Sequence, residues 1–181
     1  DVVLLEKAPQ VAVYAPPHGD EPWDDAVVLA LDYAEIPFDQ IYDHEVLSGE
    51  TFKYDWLHLH HEDFTGQYGK FFAGFRHADW YQGRQQRMEA AAQAAGFAKV
   101  SQHKLAVIKR IKQYVAQGGF LFAMCSGTDS FDIALAAEGV DIVDTVYDGN
   151  PADPNAQSRL DFSKSLAFEN FRLEMNPYVY E

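Results

Sequence analysis

Only one of the 181 residues, Cys125, is a cysteine. A lone thiol excludes an internal disulfide framework and a cysteine-rich zinc site, and it leaves the redox compartment undecided. Basic residues are scarce too. Lys and Arg number 14 against 28 Asp and Glu, a formal charge of −14. That balance argues against nucleic-acid or anionic-membrane partners, since both require a basic face. No apolar run reaches the roughly 20 residues of a membrane span, and there is no internal repeat or low-complexity tract. What remains is an ordinary globular composition, 48% apolar and 14% aromatic, in a chain long enough to bury a full core as one domain.

Along the chain, strand and helix patterns alternate. Val11 to Tyr14 is a short apolar run ended by Pro16 and Pro17, which predicts a buried strand entering a loop. Asp24 or Asp25 can then cap a helix through Val27, Val28, Leu31 and Ala34, stopped by Pro37. Phe38 to Asp43 and Tyr54 to His61 read as the second and third strands. The aromatic, glycine-punctuated stretch Phe64 to Gly83 reads as an irregular insertion. Arg84 to Ala95, rich in Ala and Gln, is expected to be helical.

Leu105, Ile108, Ile111 and Val115 recur at helical spacing within Ser101 to Gln117. The basic side chains from Lys104 to Lys112 read as the solvated face of that helix. Gly118 and Gly119 end it, because glycine tolerates the left-handed cap. Phe120 to Met124 follows as a strand apolar on both faces, as in a parallel sheet covered by helices. A further helix is expected over Asp129 to Ala137, with Asp129 and Asp132 at its dipole-favoured end. Gly149 to Asp161 is a Pro/Asp/Asn-rich loop, and Leu166 to Tyr180 suits one or two peripheral strands. The pattern predicts a single α/β domain with its core over about 10–145 and loop and peripheral strands over 146–181. Trp56, Trp80 and Tyr81 read as packing rather than ligand stacking.

The segment GGFLFAMCSGTDSFDIALAA, Gly118 to Ala137, carries two competing chemistries. Ser126 to Ser130, S-G-T-D-S, looks like the pyrophosphate loop of adenylating enzymes of the asparagine-synthetase type. That loop needs two adjacent glycines whose backbone amides close around phosphate. Here the second glycine is missing, and no Lys or Arg lies between Met124 and Arg159, so the ATP reading is the weaker one. The stronger reading makes Cys125 a nucleophile on a strand-to-helix elbow, where helix-terminal amides favour the thiolate and hold a developing oxyanion. The competing structural reading is an inert, buried cysteine acting as a small hydrophobe.

The order helix, Gly-Gly, apolar strand, Cys-Ser-Gly resembles the class I glutamine amidotransferase-like superfamily. Within it, the chain is similar to a bacterial family often labelled asparagine synthetase B. The resemblance covers most of Val11 to Ala137 and implies a flavodoxin-like three-layer sandwich with a mostly parallel sheet. It makes Val11 to Pro17 the first strand. It also places Lys53 to Asp63 (KYDWLHLHHED) where the third strand delivers oxyanion-hole residues. By the same resemblance Cys125 is the nucleophile, and Ser126, Gly127 and Asp63 lie on the oxyanion or ligand edge. The implied activity is that of a cysteine-dependent hydrolase or amidotransferase. Relatives of that kind are longer and usually begin with a leader, so a chain opening at Asp1 is expected to be a fragment, with export to periplasm or exterior favoured.

The sequence departs from both standard triads of that superfamily. No histidine follows His103, so the late H-x-E base is absent, and Ser126 stands where the protease-like branch has His after Cys. The usual Pro-Gly-Gly turn after the third strand is also missing. The dense histidine cluster, His58 to Asp63, offers three alternatives. It supplies a base to Cys125 from His60 or His61, oriented by Glu62. Or it holds a divalent metal through His60 and Glu62, whose imidazole and carboxylate suit zinc and similar ions. Or its polar groups merely satisfy one another. Strand alternation puts His58, His60 and Glu62 on one side and His61 and Asp63 on the other. Asp20, Glu21, Glu62, Asp63 and Asp129 make the expected edge acidic, which raises a thiol pKa and suits a cation, amine or metal. A small-molecule ligand and a homo-oligomer are both compatible with the sequence. So is a non-catalytic ligand- or metal-binding domain of a larger exported protein.

Overall fold

The computed structural model describes residues 8–16, 25–68 and 71–179. In chain order its elements are β1 (Val11–Tyr14), α1 (Ala26–Tyr33), β2 (Phe38–Ile41), α2 (Asp43–Ser48), β3 (Trp56–Leu59), α3 (Phe72–Phe75) and α4 (Asp79–Ala94). These are followed by α5 (Val100–Ala116), β4 (Phe120–Ala123), α6 (Ser126–Ala136), α7 (Thr145–Asp148) and α8 (Ala156–Arg159). The four strands form one parallel sheet in the order β2-β1-β3-β4, flanked by helices. That order is the first part of the doubly wound, flavodoxin-like arrangement, and the α/β class expected from the sequence is the one found.

One face of the sheet carries the main core. Ala12, Tyr14, Leu57 and Leu59, with Leu121 and Ala123, meet Val46 of α2, Val107, Ile108 and Ile111 of α5, and Phe131 and Leu135 of α6. On the opposite face Val11 and Val13 are buried, yet Phe120 and Phe122 on β4 are 57% and 46% exposed. The expectation that β4 is covered on both faces therefore fails at this margin. A second cluster, including Tyr68, Tyr81, Met88, Val143 and Tyr147, joins α4 to the ends of α5 and α6 and to α7.

Helix boundaries follow local chemistry. Asp25 caps α1 by accepting from the amides of Val27 and Val28 at 2.9 and 3.1 Å. Asp24, the other candidate cap, lies outside the described residues. The end of α5 is a Schellman motif. Gly118, at φ +97°, donates to Val115, and Gly119 donates to the Tyr114 carbonyl. A Cβ on Gly119 would lie 2.2 Å from the Tyr114 ring, so both glycines are required for different reasons.

Five segments depart from the sequence reading. The second strand stops at Ile41, and Asp43 opens the unforeseen α2, where the Glu45 carboxylate accepts from the Tyr42 amide at 3.0 Å. The insertion over Phe64 to Gly83 contains α3 and the first turn of α4. The loop Gly149 to Asp161 contains α8, and α6 begins at Ser126, three residues before the expected start. Leu166 to Val179 forms no strand. Instead the Asp132 carboxylate accepts from the amides of Leu166, Ala167 and Phe168 at 2.6, 2.9 and 2.7 Å. A side chain thus satisfies backbone donors that a sheet would otherwise have paired.

Candidate active site

Cys125 sits at the carboxyl edge of the sheet, between β4 and α6, and is exposed. Exposure removes the inert-core reading of this thiol. Its backbone adopts φ 55°, ψ −142°, a region that costs a non-glycine residue about 1–3 kcal/mol and is found where the surroundings over-determine it. The surroundings here are specific. The Met124 amide is tied to the Leu59 carbonyl at 3.0 Å, and Thr128 donates its amide and hydroxyl to the Cys125 carbonyl at 3.0 and 2.6 Å. Gly127 explains the third position of Cys-Ser-Gly. A Cβ there would come within 3.3 Å of Leu59 Cγ and 3.6 Å of His60 Cα. Glycine lets the start of α6 rest against the end of β3.

His60 occupies that end of β3. Its Nε2 lies 2.8 Å from Asp25 Oδ2, while its Nδ1 is buried and has no hydrogen-bond partner. The neutral imidazole paired in this way carries its proton on Nε2 and keeps the Nδ1 lone pair. Burial works against the Asp25 charge, but the Val28 amide, His60 and the Val27 amide outweigh it and hold the carboxyl below its usual range. His58, one strand repeat earlier, stacks on Phe122 with ring centroids 5.4 Å apart and stands 5.1 Å from the His60 ring. Burial, and then the neighbouring His60, push its pKa down. His61 is exposed, at φ 51°, with its ring 5.1 Å from that of His60.

The left-handed backbone at His61 breaks strand alternation, so His60 and Glu62 do not share a side. Glu62 belongs to a buried polar cluster on the core face of the sheet. Its Oε1 is 3.0 Å from Lys104 Nζ, and its Oε2 accepts from the Tyr42 hydroxyl at 3.2 Å. Lys104 also reaches both Asp43 oxygens, at 3.0 and 2.9 Å, and the hydroxyls of Tyr14 and Tyr42 at 3.1 Å. Tyr14 also donates to Asp43. Burial disfavours the Lys104 charge, but Asp43 and then Glu62 more than compensate and raise its pKa. Burial raises Glu62 against the opposing pull of Lys104 and Arg84. Lys104 is fully buried, not part of a solvated basic face.

The sequence-nominated residues thus divide. Cys125, Ser126, Gly127 and His60 gather at one edge, with His61 beside them, whereas Glu62 points to the Lys104 cluster and does not orient His60. Asp63 is buried. Its Oδ1 accepts from the Thr65 amide and hydroxyl at 2.8 and 2.6 Å, and its Oδ2 has no partner. Burial and then the Asp63 charge push the Tyr81 phenol up to about 12. The Ser130 hydroxyl lies 3.1 Å from the Glu62 carbonyl and 2.5 Å from that of Ser126, and accepts from the Phe64 amide. It fastens the loop after β3 to α6.

His60 and Glu62 do not form a chelating pair, and among the described residues no three His, Cys, Asp or Glu side chains are arranged to hold a metal ion. Asp20 and Glu21, expected at this edge, lie outside the described residues. Among the described residues no helix is long and apolar enough to cross a membrane. The sequence reading missed Asp25 as the partner of His60, having seen it only as a cap. It also missed Lys104, although its four-residue spacing from Ile108 put it on the apolar stripe. No protein-family model matches the chain, and no curated protein or solved structure shows significant similarity to it.

Proposed function

We propose that the protein is a glutamine amidotransferase-like cysteine hydrolase or acyl transferase in which Cys125, His60 and Asp25 act as one unit. The observation that carries the reading is the juxtaposition at the carboxyl edge. An exposed thiol on a strained elbow and a buried imidazole, whose Nε2 is held by a carboxylate and whose Nδ1 is unpartnered, stand on neighbouring strand ends, where Gly127 packs against the backbone of His60. In this mechanism Nδ1 accepts the thiol proton, and sulfur attacks the substrate carbonyl. The first amides of α6 face the developing oxyanion. The leaving group departs with the proton from His60, giving a thioester that water or an amine then opens. Asp25 fixes the imidazole tautomer and stabilises the imidazolium. The segment Ser126 to Ser130 is read as a helix start rather than a phosphate loop, since the Thr128 and Ser130 hydroxyls engage the protein's own carbonyls.

The test is a burst assay with p-nitrophenyl acetate, followed by mass analysis. The expected outcome is a stoichiometric release of nitrophenolate, with one acetyl group on the Cys125 peptide. Both should be lost in Cys125→Ser and strongly slowed in His60→Ala. No adduct on Cys125, or one formed equally fast in His60→Ala, would remove the proposal. A second reading, a non-catalytic ligand-binding domain, is favoured by one observation: neither nitrogen of His60 is hydrogen-bonded to the thiol.

A further inference from the structure

A cleft of about 410 Å³ borders the elbow, a size that suits a small organic ligand. One wall is the first turn of α6, through Thr128 and Asp129, and Thr128 bonds the Cys125 carbonyl directly. The cleft therefore opens one helical turn from the Cys125 backbone. The opposite wall is the carboxyl-terminal segment 168–175, which has no regular secondary structure. Side chains hold it at both ends. Asp132 takes the three amides of Leu166, Ala167 and Phe168. Gln157 accepts from the Leu173 amide at 2.7 Å and donates to the Phe171 carbonyl at 3.1 Å. This wall is built rather than draped.

Its lining combines two chemistries. Ile133, Phe168, Phe171 and Leu173 supply apolar surface. Glu169 and Glu174 bring two carboxylates to the lining beside the guanidinium of Arg172, the charged side chains that the carboxyl-terminal wall contributes among the described residues. Such a cleft favours an apolar body bearing positive charge and opposes an anion, and the −14 charge of the whole chain adds a long-range bias in the same direction. We propose that this cleft binds a small organic cation, an apolar group carrying a protonated amine, and that it selects the substrate of the Cys125 centre. The second half of this statement rests on the cysteine-hydrolase reading; the binding site itself does not.

The experiment titrates phenethylamine, phenethyl alcohol and phenylacetate into the isotope-labelled Cys125→Ser chain and follows backbone amide shifts. The amine should give saturable shifts centred on Thr128, Phe168 and Leu173. It should bind about twofold to fivefold more tightly than the alcohol, the upper part of the range for exposed ion pairs, with phenylacetate weakest. Glu169→Gln combined with Glu174→Gln should bring the amine to the affinity of the alcohol and leave the alcohol unchanged. The proposal is overturned if the amine gives no saturable shift, if it binds no better than the alcohol, or if the shifts map away from the cleft. Selective amine binding with no Cys125-dependent acylation in the wild type would remove the hydrolase reading and keep the site. Acylation without amine selectivity would do the reverse.

Discussion

Lys104 illustrates how a single residue can hold strand ends together. Its ammonium gathers Tyr14 from the end of β1, Tyr42 and Asp43 from beyond β2, and Glu62 from beyond β3. Removing one partner from a buried ionic cluster leaves the remaining charges uncompensated, typically at about 3–5 kcal/mol. Lys104→Met should therefore lower the urea midpoint by that equivalent, whereas Lys109→Met, on an exposed position of the same helix, should change it by less than about 0.5 kcal/mol. Equal effects would show that the cluster contributes nothing particular. The residue was hard to read because a lysine among helical polar residues looks solvated until the stripe it occupies is known to face the core.

The buried histidines set a pH dependence of known sign. Burial, with the help of His60, lowers the pKa of His58; burial also lowers that of His103, against the pull of Asp43. Below the ordinary imidazole value of 6.5, the unfolded chain takes up protons that the folded chain resists. Their contribution is thus complete above that value and lost as pH falls from it toward the folded pKa. Thermal unfolding followed from about pH 7.5 to about pH 5 should show a falling midpoint, with a shallower fall in His58→Gln. A slope unchanged by both His58→Gln and His103→Gln would contradict the assignment.

Among the elements, the four strands and the long helices were legible because hydrophobic periodicity and glycine or proline punctuation fix them locally. The short α2 was not, because its start depends on Glu45 folding back to the Tyr42 amide. The carboxyl-terminal segment was misread as strand because its alternating apolar residues carry the same pattern whether they pair with a sheet or are tied to a side chain. Asp132 decides between the two. In Asp132→Asn an amide NH2 replaces one carboxylate oxygen and meets backbone donors instead of accepting from them. The amides of Leu166, Ala167 and Phe168 should then exchange with deuterium at least several-fold faster while those of α5 keep their protection. Unchanged exchange at all three would mean that the segment is held by something other than Asp132.

At the scale of the molecule, alternating strands and helices already implied a layered α/β sheet, and the strand order β2-β1-β3-β4 agrees with that expectation. The exposure of Phe120 and Phe122 was invisible in the sequence, since an apolar strand reads alike whether or not a helix covers it. The candidate site was half legible. Cys125, Gly127 and His60 could be placed from the elbow pattern and the end of a strand, but the carboxylate serving His60 could not. Asp25 is 35 positions away, and only the parallel crossover brings its helix start to the same edge.

The central claim is that Cys125 and His60 act together, with Asp25 behind them. The rate of iodoacetamide alkylation of Cys125 across pH tests it most directly. The account predicts labelling that is already fast below the free-thiol pKa of about 8.5. Asp25→Asn should slow it, and His60→Ala should return it to ordinary thiol behaviour. Labelling that follows an ordinary thiol in the wild type, and is unchanged in both variants, would contradict it.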